Sequence, residues 1–94
     1  MTTFNSVWDA IEDTPEEAEN MKIRSALMRA IEDRIRAEGW SQQQAAERLG
    51  VTQPRVSDLM RGKIDKFTID TLVNMLVAAG LHVQVRVEGD LEVA

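Results

Sequence analysis

Apolar residues recur at helical spacing in five stretches of this chain and at spacing two in a sixth. Phe4, Val7, Trp8 and Ile11 follow the i, i+3, i+4, i+7 rule, which puts all four on one helical face. Thr14-Pro15-Glu16-Glu17 then predicts a new helix start. The threonine can cap, the proline suits the first turn and Glu17 completes a capping box. That helix runs to Glu38, with Ile23, Leu27, Ala30, Ile31 and Ile35 as its inward stripe, and Gly39 ends it. The Arg29–Asp33 and Glu32–Arg36 pairs on its wet face contribute roughly 0.2–0.5 kcal/mol each and describe a solvated surface.

Two short helices joined by a tight turn are predicted next, in QQQAAERLGVTQPRVSDLMR, residues 42–61. Ser41 and Gln44 form a second capping box, with Trp40 placed to staple against Ala45. Ala45, Ala46 and Leu49 face inward, and the small side chain of Ala46 lets the two helices cross closely. Gly50 can take the positive φ of a sharp reversal. Val51 plugs the corner and Thr52 caps the next helix. There Val56, Leu59 and Met60 share one side, while Gln53, Pro54, Arg55, Ser57, Asp58 and Arg61 occupy the start and the opposite side. The bland alternative is a structural helical hairpin in an all-α domain. After a loop at 62–66, Phe67-Thr68 opens a further helix, with Ile69, Leu72, Val73, Leu76 and Val77 as its apolar face and Gly80 as its stop.

The period changes to two in LHVQVRVE, residues 81–88. Leu81, Val83, Val85 and Val87 alternate with His82, Gln84, Arg86 and Glu88, a strand pattern. No second strand is visible in the chain, and a lone strand leaves its ladder groups unpaired. Antiparallel pairing with the same strand of a second copy resolves this; the plainer alternative is a lone extended tail packed on the helices. The fold class expected is therefore mainly α: a small domain of about four to five helices with one C-terminal β-strand pairing across a dimer. Its parts are an acidic amphipathic arm at 1–14, a domain at 15–88 and a frayed tail at 89–94.

Composition narrows the functional classes. The 94 residues include no cysteine and one histidine, which removes disulfide frameworks and thiolate metal sites. Ser57 has no histidine near it in sequence, and no glycine-rich phosphate loop occurs, so an enzyme is not expected, nor any cofactor. No apolar run approaches a membrane span, and the N-terminus lacks the basic and apolar regions of a secretory signal, so a cytoplasmic protein is expected. The net charge of −5 hides a division. Residues 1–20 hold six acids and no base; residues 21–86 hold all eleven bases against seven acids; the tail adds three acids. An acidic arm on a basic body suggests two different partners, although acidic termini also serve solubility alone.

Residues 42–61 resemble a helix-turn-helix DNA-binding unit of the XRE, or phage-repressor, type. The resemblance rests on Ala46, Gly50, Val56 and Leu59 at the family's spacing and on the trailing Arg61-Gly62-Lys63. It implies that the helix from Gln53 enters the major groove of double-stranded operator DNA with its first residues on base edges. Gln53 can then pair with adenine, Arg55 can grip guanine bidentately and Pro54 can press on a thymine methyl, with Ser57 nearby. Asp58 has two options: accepting from cytosine, or pairing with Arg55 or Arg61. Gln42, Gln43, Arg61, Lys63, Lys66 and Thr68 fall where phosphates would pass.

Taken whole, the chain resembles small XRE-type antitoxins of the HigA class. That resemblance implies a dimer that represses its own operon and neutralises a small, basic, RelE-like mRNA endonuclease toxin. It would assign Phe4, Val7, Trp8 and Ile11 to toxin contact and Leu81, Val83, Val85 and Val87 to the dimer interface. Folding of the arm's aromatic face back onto its own body is the competing expectation. It goes with a stand-alone regulator that has no toxin.

Overall fold

The computed structural model describes residues 14–89. The Thr14 hydroxyl accepts from the Glu17 backbone N–H at 3.0 Å, and Pro15 opens α1, Pro15–Glu38. Gly39 closes it in the left-handed region, and the Trp40 N–H reaches back to the Ile35 carbonyl at 3.1 Å. Both halves of the Ser41–Gln44 capping box form at the start of α2, Gln42–Leu49. Helix α3, Gln53–Met60, follows, then a 3-10 turn, Ile64–Lys66, and helix α4, Ile69–Ala78, capped by Thr68.

One core joins these elements. Met28, Ile31 and Ile35 of α1 pack with Leu72, Met75, Leu76 and Ala79 around α4, and Ala45, Ala46, Leu49, Val56, Leu59 and Phe67 complete the cluster. Each fully buried aliphatic contributes about 1.5–3 kcal/mol of transfer free energy. Of the expected stripe on α1, Ile31 and Ile35 are buried and Leu27 and Ala30 pack half-buried against the core, but its N-terminal end departs. The inward line is 24-28-31-35, so Met28 is buried while Ile23 is 39% exposed. At about 1.5 Å per residue the ten-residue α4 spans less than half of the 24-residue α1 and does not cover its first turns. On α4 the buried positions are Leu72, Met75 and Leu76, and Val77 is 61% exposed.

The C-terminal strand is not found. Among the described residues there is no strand, and residues 81–89 join no ladder. A β-strand exists only by pairing, and the described residues supply no second run to pair with. Leu81 instead belongs to its own chain. Its N–H bonds the Leu76 carbonyl at 2.9 Å and its side chain packs against the core. Val83, Val85 and Val87 are exposed, the last two at 82% and 89%.

Candidate nucleic-acid interface

The presentation of α3 begins at Gly50. Its φ of 70° reverses the chain, and the N–H groups of Gly50 and Val51 both bond the Ala46 carbonyl. Val51 turns into the core behind them. Thr52 caps α3, its hydroxyl accepting from the Arg55 N–H at 3.3 Å. Pro54 falls in the first turn, where no backbone donor is needed. Ala45 and Ala46 let α2 cross α3 closely, and Val56 and Leu59 are swallowed at 0% and 2% exposure. With that face anchored, Gln53, Pro54 and Arg61 are exposed, and Arg55, Ser57 and Asp58 are half-buried along the rim.

Two charged side chains on this rim are held by neighbours that sequence spacing did not single out. The Arg55 guanidinium lies over the Phe67 ring, 4.6 Å from its centroid. Asp58 pairs with neither Arg55 nor Arg61. Its carboxylate stands 3.7 Å from the Lys63 ammonium, and the Lys63 N–H donates to the Asp58 carbonyl at 3.0 Å. A half-exposed pair at that distance is worth under about 1 kcal/mol, so it orients Lys63 without locking it away from a phosphate.

Gln42 and Gln43 stand exposed in the first turn of α2, where free backbone N–H groups and the positive end of the helix dipole face outward. Lys63, Lys66 and Thr68 are exposed on the loop between α3 and α4. Arg24 of α1 holds that loop. Its Nη1 donates to the Ile64 carbonyl at 2.9 Å and, more weakly, to the Phe67 carbonyl at 3.5 Å, while Nε donates to Asn20 Oδ1 at 2.6 Å. Arg24 is the residue sequence reading missed. Its signal was its place on the 24-28-31-35 line, where an arginine ends an otherwise apolar stripe. Thr68 is partly committed: its oxygen accepts from the Thr71 N–H at 3.1 Å and shares a 2.8 Å hydrogen bond with the Thr71 hydroxyl.

The candidate base-contacting and phosphate-contacting residues thus lie on consecutive elements: the start of α2, the outer side of α3 and the loop that follows. Residues 42–68 carry five bases and three acids, a mildly positive stretch in an acidic protein. The four arm residues proposed to touch a toxin, Phe4, Val7, Trp8 and Ile11, lie outside the described residues. Among the described residues no cluster of histidine, cysteine and carboxylates could hold a metal, and no helix is long and apolar enough to cross a membrane.

Comparison with known proteins agrees with this geometry. Residues 10–88 match the family model described as a helix-turn-helix domain. A solved structure assigned to the XRE family of transcriptional regulators superposes with a TM-score of 0.74 at 29% sequence identity, covering 83% of this chain and 88% of the other. No curated protein matches the sequence.

Proposed function

The chain belongs to the helix-turn-helix domain family and is a DNA-binding transcriptional regulator, and we propose that it is a sequence-specific repressor that reads its operator with α3. The observation that carries this is the two-sided character of α3: Val56 and Leu59 are anchored in the core while Gln53, Pro54 and Arg55 stand at its free N-terminal end. In the major groove that end meets base edges, with Gln53 toward adenine, Arg55 toward guanine and Pro54 toward a thymine methyl. Gln42, Gln43, Arg61, Lys63, Lys66 and Thr68 take the flanking phosphates, which fix the register. Methylation interference tests this. Methylating guanine N7 in a duplex selected by the protein should abolish binding at one or two guanines per half-site, and Arg55→Ala should erase that sensitivity. Interference confined to minor-groove adenine N3 would refute it.

The acidic arm supports a second role. Its Phe4, Val7, Trp8 and Ile11 share one helical face in sequence, and residues 1–20 carry six acids and no base. Such a segment suits the groove of a small basic protein. We infer that this partner is an RNA-cutting toxin of the RelE type, and that the protein is an antitoxin repressing its own operon. The alternation of Leu81, Val83, Val85 and Val87, unpaired within the chain, supports a homodimer in which two tails pair. Leu81 then contributes from its own core outward, and the exposed valines supply the contact.

A further inference from the structure

Arg55 and Phe67 are each fixed before they meet. The Arg55 N–H is bound by the Thr52 cap. The Phe67 ring is 2% exposed; its N–H donates to the Ile64 carbonyl at 3.2 Å and its carbonyl accepts from Arg24. Thr68, the next residue, caps α4. A ring held this way cannot swing aside, and the guanidinium lies on it at 4.6 Å, well inside the range of a cation–π contact. A guanidinium drawn to a ring face by its charge keeps N–H groups on the side away from the ring that can donate.

We propose that Phe67 is a positioning residue for base recognition. Its ring holds the Arg55 guanidinium in one plane beside the first turn of α3, so that the arginine meets the duplex with much of its rotamer freedom already spent. This rests on the reading of α3 as the recognition helix. The mechanism explains why a buried core aromatic sits at the loop that flanks the candidate interface. It also predicts that removing the ring changes sequence discrimination and not the general attraction to DNA. An aliphatic side chain can fill the same core space but has no π face for the guanidinium, and a lysine at 55 keeps the charge but has no plane to stack.

The test is a double-mutant cycle with the full chain. The probes are a duplex recovered by the wild-type protein from a randomised library and a scrambled duplex of the same length and composition. Binding is measured over a series of salt concentrations, below each variant's thermal midpoint, and affinities are compared at the same salt. Phe67→Leu should lower the ratio of selected to scrambled affinity about three- to tenfold, the range a cation–π contact supports. It should leave scrambled binding and the salt slope unchanged, and in an Arg55→Ala background it should change nothing further. Arg55→Lys, which leaves the core intact, should lose discrimination as Arg55→Ala does. Equal weakening on both duplexes, an equal further loss in the Arg55→Ala background, or full discrimination by Arg55→Lys would overturn the positioning role. If Arg55→Ala itself leaves the ratio unchanged, Arg55 does not read bases, and that failure is distinct from the others.

Discussion

Replacing Arg24 by alanine removes the only tie among the described residues from a side chain of α1 to the backbone of the loop at 64–67. Of its two contacts, the 2.9 Å bond to the Ile64 carbonyl is well formed, and the 3.5 Å bond to the Phe67 carbonyl is at the limit of a hydrogen bond. A hydrogen bond from a charged donor is worth about 1.5–3 kcal/mol. The site is only part-buried, so water can reach the released carbonyl, and the expected loss lies lower, at about 1–2 kcal/mol. For a domain of this size that corresponds to a fall in Tm of about 5–15 °C. Arg29→Ala is the control: the residue is exposed on the same helix, and the change should stay within about 0.5 kcal/mol. Thermal unfolding followed by circular dichroism reads both. Arg24→Lys should recover only part of the loss, because a single ammonium cannot reach the loop carbonyls as Nη1 does and donate to Asn20 Oδ1 as Nε does at the same time. If Arg24→Ala melts within a degree or two of Arg29→Ala, the clamp is not stabilising the loop.

Gly50→Ala should cost about 1–2 kcal/mol, entirely from forcing a Cβ into the left-handed region, since no atom lies within 4 Å of the new methyl; a midpoint in urea equal to wild type would refute this. A chain ending at Leu81 keeps its core packing and should sediment as a monomer at micromolar concentration, whereas a persisting dimer would place the interface elsewhere. Trp8→Ala should weaken binding of the proposed toxin by about 2 kcal/mol or more and leave Tm unchanged. A fall in Tm of many degrees would show instead that the arm packs on its own body.

What was legible in the sequence is what local chemistry decides. Thr14, Ser41, Thr52 and Thr68 each accept the hydrogen bond expected of a cap, because the donor is a backbone N–H three residues on. Gly39 and Gly50 end their helices for an equally local reason. The N-terminal end of the stripe on α1 was not legible. Ile31 and Ile35 are inward on either choice, but the line can continue through Leu27 to Ile23 or through Met28 to Arg24, and only the partner helices choose between them. Helix α4 is ambiguous in the same way, since most of its positions are apolar. The partners of Arg24 and Arg55 lie 40 and 12 residues away, beyond any spacing rule. For Asp58 an arginine partner was one expectation, and the turn at Gly62 brings Lys63 beside it in place of Arg55 or Arg61. The alternation at 81–88 is plain in the residues, yet a strand also needs a partner, and none of the described residues supplies it.

The N-terminal end of α3 is proposed to read sequence, through Gln53 and Arg55 above all. The measurement that tests it most directly is the ratio of Kd values for a scrambled and a library-selected duplex at one physiological salt concentration, for wild type and for a Gln53→Ala/Arg55→Ala double variant. Wild type should favour the selected duplex by about a thousandfold or more, as specific DNA binders do. The variant should lose most of that ratio and keep its affinity for scrambled DNA, which depends on Lys63, Lys66 and the other phosphate contacts. A wild-type ratio near one, or a variant that keeps the full ratio, would mean that α3 does not read sequence through these two residues.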